Sequence, residues 1–212
     1  MSDLKIKICG VKNKEIAKHA IVAGANFIGF IFYEKSHRNI TVESCEQILS
    51  EIKDLIIPVA VTVNPDDNLL DDLLRIGFRY IQLHGQETLE TVKKIKMKYD
   101  FKIIKALGIS SSKDLEELVQ YESFVDYFLL DSPPQGDIQG GTGHKFDWKI
   151  IKDLSMTKNF FLSGGLNKNN IISAINLKKT SYFDVSSGVE DSEGIKDKQL
   201  ITEFIDKAKY II

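Results

Sequence analysis

The chain has 212 residues, of which 43% are hydrophobic and 27% charged, and its formal net charge is −2. This balance provides no broad basic surface for nucleic acid or an anionic membrane, and no apolar segment reaches the ~18 residues that a membrane helix requires. Two cysteines, Cys9 and Cys45, are too few for a disulfide framework and indicate a reducing compartment. We therefore expect a cytoplasmic protein that binds a small molecule, with no nucleic-acid or membrane partner.

Short apolar runs alternate with longer segments along the whole chain, and no linker of different composition separates them. Eight runs have the continuous apolar character of strands buried on both faces of a parallel sheet. The longer segments have the apolar spacing of amphipathic helices. The predicted strands are 5–9, 27–32, 58–63, 80–83, 102–106, 126–130, 160–162 and 182–185, and the predicted helices are 14–23, 42–53, 68–76, 89–99, 112–119, 150–154, 168–175 and 197–210.

Eight strand-then-helix units of roughly 26 residues favour a single-domain (β/α)8 TIM barrel over residues 1–212. An open, doubly wound sheet is the alternative. In a barrel the carboxyl ends of all strands meet at one face, where the loops build the site. Residues that end different strands should therefore lie around one mouth, however far apart they are in sequence.

A cysteine and an aspartate each end a predicted strand. Cys9 precedes Gly10 at the end of the first strand, and Asp131 ends the sixth strand before a glycine-rich loop. Each has an ordinary structural interpretation, as a packed thiol or as a carboxylate that caps a loop. As a pair across a barrel mouth, a thiolate and a carboxylic acid can move protons in opposite directions on one substrate. Cys45, inside a helical run, is interpreted as packing.

Two consecutive strands end in small residues, as SGG at 163–165 and SSG at 186–188. Barrels often bind phosphate with the loops after strands seven and eight and the N-terminus of a short extra helix, which segment 188–194 is predicted to supply. The glycine-rich segment 140–143 adds backbone N–H groups that can approach an anion closely. The predicted phosphate-binding residues are Gly141, Gly143, Gly164, Gly165, Ser187 and Gly188.

Two further polar side chains follow predicted strands. Arg38, after the second strand, has a planar guanidinium suited to a carboxylate, although a surface arginine is the alternative. His84 ends the fourth strand and is interpreted as a polar wall of the pocket with a supporting role. His19, His37 and His144 lack the spacing of metal ligands, so we expect no metal site.

An ordered series of short motifs runs through the chain. They are KICG at 7–10, GFIF and SHR within 29–38, VNP at 63–65, QLHG at 82–85, LLD at 129–131, GGTG and FDW within 140–148, SGGL at 163–166, and DVSSGVE with GIKD within 184–197. This series resembles the phosphoribosylanthranilate isomerase family of tryptophan biosynthesis over almost the whole chain. One departure is His37, where the family commonly has proline.

The resemblance implies a cofactor-free Amadori rearrangement of N-(5-phosphoribosyl)anthranilate to 1-(2-carboxyphenylamino)-1-deoxyribulose 5-phosphate. It implies that Asp131 is the general acid that protonates the ring oxygen and that Cys9 is the general base at ribose C2. Arg38 matches the residue that holds the anthranilate carboxylate, and the glycine motifs match the phosphate site. These roles require a protonated Asp131 and an ionised Cys9, the reverse of the order of their reference pKa values of about 3.9 and 8.5.

Two other functions are alternatives to the isomerase. One is another phosphosugar barrel enzyme, such as an indole-glycerol-phosphate synthase-like lyase or a histidine-pathway isomerase. Cys9 together with Arg38 argues against it, because a two-aspartate isomerase would have a carboxylate at position 9. The other is a non-catalytic phosphometabolite sensor, which the presence of both Cys9 and Asp131 argues against. The chain is expected to be a monomer or a homodimer.

Overall fold

The computed structural model describes residues 4–52, 54–133, 147–152, 154 and 156–209. Eight parallel strands form a closed barrel in chain order, and the eighth strand pairs with the first. The strands are β1 Lys5–Cys9, β2 Phe27–Phe32, β3 Ile57–Thr62, β4 Tyr80–Leu83, β5 Lys102–Gly108, β6 Tyr127–Asp131, β7 Phe160–Leu162 and β8 Tyr182–Val185. The predicted (β/α)8 barrel is confirmed, and the open doubly wound sheet is wrong.

Helices follow most strands and cover the outside of the barrel. They are α1 Lys14–Ala23, α2 Val42–Ile52, α3 Asp67–Arg75, α4 Leu89–Lys98, α5 Glu116–Tyr121, α6 Ile171–Asn176 and α7 Lys198–Lys209. Side chains of Asn13, Asp66 and Thr88 accept backbone N–H groups at the starts of α1, α3 and α4. Such caps satisfy donors that have no partner within the helix. No helix in the described part of the chain is long and apolar enough to cross a membrane.

Three predicted helices are shortened or replaced by a 3-10 turn in the structure. The segment 112–119 divides into a 3-10 turn at Ser112–Leu115 and then α5, and the Asp114 carboxylate accepts the Ser110 and Ser111 N–H groups at the start of this turn. The segment 150–154 contributes to a 3-10 turn at Trp148–Ile151, and α6 begins three residues after the predicted start of its helix. Local hydrogen bonds from polar side chains compete with helix formation at such positions.

The predicted helix at 188–194 is wrong. The chain forms a 3-10 turn at Ser187–Val189 and then two short antiparallel strands, β9 Glu190–Ser192 and β10 Ile195–Lys196. Gly194 has φ +76°, a left-handed conformation that glycine adopts without strain, and its N–H donates to Glu190 Oε2 at 3.1 Å. These interactions make the segment a hairpin beside the barrel mouth.

The interior of the barrel changes from aromatic to polar along its axis. At the amino-terminal end, the rings of Phe27, Phe161 and Tyr182 pack edge to face or tilted, with centroids 5.2–6.4 Å apart. Closer to the carboxyl ends lie the buried polar side chains of Lys7 and Asp184, which are register partners on β1 and β8. The packed aromatic layer closes one end of the barrel, so the polar groups face only the other end.

Candidate active site

The four side chains predicted to act on the substrate lie at the carboxyl-terminal face of the barrel. Cys9 is the last residue of β1 and Asp131 the last of β6, while His84 directly follows β4 and Arg38 lies between β2 and α2. Cys9 and Asp131 are each about 95% buried. His84 Nε2 lies 3.6 Å from Asp131 Oδ2. The barrel thus places residues from four separate loops and strand ends around one mouth.

The Asp131 carboxyl group is held in an environment that favours its protonated form. Burial raises its pKa to about 7, with Asp184 adding to the rise, whereas the backbone N–H of Ser132 and the charge of Lys7 oppose it. The Ser132 N–H donates to Asp131 Oδ1 at 2.7 Å. A rise from 3.8 to about 7 increases the protonated fraction at pH 7 from roughly 1 in 1,600 to about one half. Asp131 is therefore suited to donate a proton at neutral pH.

The Cys9 thiol lies beside a buried ammonium group. Burial raises its pKa, and the Asp184 carboxylate adds to the rise, while Lys7 and Lys196 lower it. Gly29, the partner of Cys9 on β2, leaves room for this arrangement: a Cβ there would lie 2.9 Å from Cys9 Sγ and 3.2 Å from Lys7 Nζ. The Cys9 thiol and the Lys7 ammonium group consequently occupy the space that the side chain of a larger residue at position 29 would need.

Lys7 is the centre of a buried polar network. Its Nζ donates to Asp184 Oδ1 at 2.8 Å and to Gln82 Oε1 at 2.9 Å. Burial lowers the pKa of Lys7, but the nearby Asp184 and Cys9 groups outweigh burial and raise it. Ser163 Oγ donates to the other Asp184 oxygen at 3.3 Å. Lys7 therefore stays charged and fixes the polar groups at the bottom of the mouth.

Arg38 is oriented by a carboxylate of the hairpin. Its Nε and Nη2 donate to the two oxygens of Glu190, both at 2.7 Å, and Lys196 Nζ also donates to Glu190. Although burial opposes ionisation, hydrogen bonds from Arg38 and the charge of Lys196 lower the pKa of Glu190 to about 2. Gly10 permits the approach of Arg38, because a Cβ there would lie 2.7 Å from Arg38 Cδ. The guanidinium predicted to bind a carboxylate is thus buried in a fixed orientation, and its Nε and Nη2 edge is bound to Glu190.

The loops after β7 and β8 meet at the predicted phosphate side. Gly164 and Gly165 have φ values of +79° and +68°, which a residue with a side chain rarely adopts. A Cβ on Gly188 would lie 1.9 Å from the carbonyl oxygen of Leu166, so the two loops come this close only with glycine at position 188. Ser187 begins the 3-10 turn that follows β8. Gly141 and Gly143 lie outside the described residues.

The loop that carries His84 is anchored by a second buried ion pair. Lys105 Nζ donates to Glu87 Oε2 at 2.8 Å and to the Gly85 carbonyl at 2.9 Å, and Glu87 Oε1 accepts the Gly85 N–H at 2.9 Å. These residues border a cavity of about 310 Å³ that also touches His84 and Asp131. Throughout the part of the chain that the structure describes, no three His, Cys, Asp or Glu side chains are grouped to hold a metal ion.

Several polar residues of the site had no role assigned from sequence. They are Gln82, Asp184, Glu190 and Lys196. Gln82 and Asp184 stand within strands that are otherwise apolar. Because both faces of such a strand are buried, a polar side chain in it indicates a polar site inside the protein. The interpretation of Cys45 as packing agrees with the structure, since it is fully buried in α2 and burial raises its pKa to about 12.

Comparison with known proteins identifies the family. The sequence model of N-(5'-phosphoribosyl)anthranilate (PRA) isomerase matches residues 6–207. The N-(5'-phosphoribosyl)anthranilate isomerase of Zymomonas mobilis subsp. mobilis is 38% identical over 209 residues, which are 98% of this chain and 99% of the relative.

Solved structures agree with this match. Phosphoribosyl anthranilate isomerase from Thermotoga maritima superposes with a TM-score of 0.86 at 36% identity, over 98% of this chain and 100% of that one. A phosphoribosyl anthranilate isomerase in complex with reduced 1-(o-carboxyphenylamino)-1-deoxyribulose 5-phosphate gives a TM-score of 0.84 at 36% identity, with the same coverage. The chain therefore belongs to the N-(5'-phosphoribosyl)anthranilate isomerase family.

Proposed function

We propose that this chain converts N-(5-phosphoribosyl)anthranilate to 1-(2-carboxyphenylamino)-1-deoxyribulose 5-phosphate, as a step of tryptophan biosynthesis. Membership of the family supports the reaction. The observation that carries the mechanism is the pairing of Asp131, whose pKa burial raises to about 7, with a Cys9 thiol beside the Lys7 ammonium group. Both stand at strand ends that open on the same mouth.

In the first step of the proposed mechanism, Asp131 donates its proton to the ribose ring oxygen. The bond between C1 and the ring oxygen breaks, and the anthranilate nitrogen lone pair forms a C=N bond to C1. The Ser132 N–H, which donates to Asp131 Oδ1, stabilises the carboxylate that remains. The ring is then open, and the positive charge on nitrogen makes the proton at C2 acidic.

In the second step, the Cys9 thiolate removes the C2 proton, and its electron pair forms the C1=C2 bond of an enolamine as the C=N bond becomes a single bond. The enolamine tautomerises to the ketone by gaining a proton at C1 and losing the proton of its C2 hydroxyl. Substrate and product are isomers, so the electrons balance without an external oxidant or reductant. Lys7, which lowers the pKa of Cys9, favours the thiolate this step needs.

The remaining site residues bind the substrate in this proposal. Arg38, oriented by Glu190, binds the anthranilate carboxylate. The loops after β7 and β8, with Gly164, Gly165, Ser187 and Gly188, bind the phosphate through backbone N–H groups, and Gly141 and Gly143 are proposed to complete this site. His84 supports Asp131 at the opposite wall.

We also propose that residues 1–212 act as one catalytic domain, in the cytoplasm, as a monomer or a homodimer. A Thermotoga maritima phosphoribosylanthranilate isomerase with 35% identity to this chain is described as a dimeric protein from which monomers were generated. Light scattering after size-exclusion chromatography distinguishes the two states. A larger assembly would contradict the proposal.

The reaction is tested with freshly prepared N-(5-phosphoribosyl)anthranilate. We expect its fluorescence to decay faster with purified protein than without, at a rate proportional to protein concentration. The ligand of the solved relative, reduced 1-(o-carboxyphenylamino)-1-deoxyribulose 5-phosphate, is expected to compete with the substrate. A decay that protein does not accelerate would reject the proposed function.

A further inference from the structure

A row of polar side chains leads from the base side of the mouth to the acid side. Lys7 Nζ donates to Gln82 Oε1 at 2.9 Å, and Gln82 Nε2 lies 2.6 Å from His84 Nδ1. The other ring nitrogen of His84, Nε2, lies 3.6 Å from Asp131 Oδ2. Gln82 is fully buried, so water does not compete for either end of its amide. The donors and acceptors along this row fix which atom of each side chain donates a hydrogen bond and which accepts one.

The first link fixes the orientation of the Gln82 amide. An ammonium group has three donors and no acceptor, so the Gln82 atom 2.9 Å from Lys7 Nζ has to be the carbonyl oxygen. Rotation of the amide by 180° would place two donors against each other in a buried site, which costs about as much as an unsatisfied buried group, ~1–3 kcal/mol. The NH2 group of Gln82 therefore faces His84.

The second link fixes the proton on the His84 ring. Because Gln82 Nε2 donates to Nδ1, this nitrogen carries a lone pair, and a neutral imidazole then holds its proton on Nε2. Burial, together with the charges of Lys105 and Lys7, lowers the pKa of His84 to about 3. His84 is thus neutral at physiological pH and directs an N–H group towards Asp131 Oδ2.

We infer that Gln82 is a positioning residue, which is anchored by Lys7 and holds His84 in the Nε2–H tautomer that faces Asp131. This inference rests on the proposed function of Asp131 as the acid. When Asp131 has given up its proton, the Ser132 N–H faces one carboxylate oxygen and the His84 N–H faces the other. Donors aimed at a developing negative charge stabilise it without reorganisation. Gln82 itself touches no substrate atom in this scheme.

The tautomer is measured directly in the wild-type protein by two-bond 1H–15N correlation of 15N-labelled histidine side chains. The His84 signals are assigned by their loss in His84→Asn. We expect the Nε2–H pattern to persist from about pH 6 to 8. An Nδ1–H pattern or an imidazolium in this range would overturn the inference. Because the wild-type spectrum decides this point, the test does not depend on the folding of any Gln82 variant.

Gln82→Glu provides the functional test. A carboxylate has only acceptors, so one oxygen keeps the contact with Lys7 while the other faces Nδ1 and draws the proton to that nitrogen. We expect the Nδ1–H tautomer, which leaves no proton on Nε2 to face Asp131, with kcat lowered at least about tenfold and KM changed less than about threefold. Gln47→Glu on the exposed face of α2 makes the same charge change and is the matched control.

The outcomes separate this inference from the proposed function. An altered tautomer in Gln82→Glu with unchanged kcat would overturn the positioning role. Wild-type protein that shows the Nε2–H tautomer but no isomerase turnover would reject the proposed function and support the tautomer assignment. Active wild-type protein with the Nδ1–H tautomer would support the proposed function and reject the tautomer assignment.

Discussion

The Lys7 ammonium group lies 2.8 Å from the Asp184 carboxylate, and both side chains are buried at the bottom of the barrel mouth. This ion pair acts on both proposed catalytic groups. Lys7 lowers the pKa of Cys9 and of Asp131, while Asp184 raises both. The pair thus balances two needs of the mechanism, since the base requires a positive neighbour and the acid a negative one.

Asp184→Asn is expected to make Cys9 more reactive. Without the carboxylate, the charge of Lys7 acts on the thiol unopposed, so the pKa of Cys9 falls and alkylation by iodoacetamide at about pH 8 becomes faster. Mass spectrometry of the Cys9 peptide measures the rate, with buried Cys45 as internal reference. The variant leaves a buried charge unpaired and is expected to lose about 3–5 kcal/mol of stability. Unchanged or slower alkylation, relative to the surface control Asp206→Asn, would contradict this effect.

The pH dependence of kcat/KM is expected to show the reversed order of protonation. Burial raises the pKa of Asp131 to about 7 and also raises that of Cys9 above its ordinary value. Below about pH 7 Asp131 stays protonated while the thiolate fraction grows, so kcat/KM rises with pH. Above this pH, the rising fraction of Cys9 thiolate and the falling fraction of protonated Asp131 cancel. The value of kcat/KM therefore stays constant with pH until Cys9 titrates. A profile that falls through pH 7 would mean that Cys9 is already ionised there.

Asp131→Asn is expected to change how stability depends on pH. The pKa of Asp131 is 3.8 as a reference for the unfolded chain and about 7 in the folded protein. Between these values the folded state binds the proton more strongly, so this group's contribution to the free energy of unfolding is full below pH 4. It is lost as pH rises towards 7, by up to about 4 kcal/mol.

Asparagine binds no proton in this range. The free energy of unfolding of Asp131→Asn should therefore increase relative to wild type between about pH 4 and 8, as measured by urea denaturation. A difference that stays constant over this range would show that Asp131 has an ordinary pKa in the folded protein.

Arg38→Ala is expected to weaken substrate binding more than it slows turnover. Hydrogen bonds to a charged group contribute about 1.5–3 kcal/mol, which corresponds to roughly a 10- to 150-fold increase in KM. Lys196 remains beside Glu190, so this carboxylate keeps a positive partner and the variant should fold. Arg75→Ala, which removes an exposed arginine paired with Asp72 and Glu46, is the control. A loss confined to kcat would contradict the binding role.

Elements with strong local signals were predicted well from sequence. The strand Phe27–Phe32 and the helix Lys14–Ala23 have the predicted bounds, because burial on both faces and an Asn13 cap leave clear patterns. The hairpin after β8 was not predicted. Its conformation depends on Glu190, which binds Gly194 within the hairpin and Arg38, 152 positions away in the chain. Contacts of this separation leave no periodic pattern.

The site was predicted only in part, because some of its features also depend on contacts between residues that are distant in sequence. Cys9 and Asp131 follow apolar runs at strand ends, where the barrel topology alone places them at the mouth. The effect of burial on the pKa of Asp131 needs the packed structure. The row of polar side chains through Gln82 also depends on which strands are neighbours across the barrel, and the residue's position in an apolar strand is its only local signal.

Asp131 is proposed to donate the proton that opens the ribose ring. The most direct measurement compares Asp131→Asn with wild type for turnover of N-(5-phosphoribosyl)anthranilate and for calorimetric binding of reduced 1-(o-carboxyphenylamino)-1-deoxyribulose 5-phosphate, with Cys9→Ala and Cys45→Ala as companion variants. We expect Asp131→Asn and Cys9→Ala to bind the analogue while kcat falls roughly 100- to 10,000-fold, and Cys45→Ala to retain its turnover. Turnover near the wild-type rate in Asp131→Asn would contradict the role of Asp131 as the general acid.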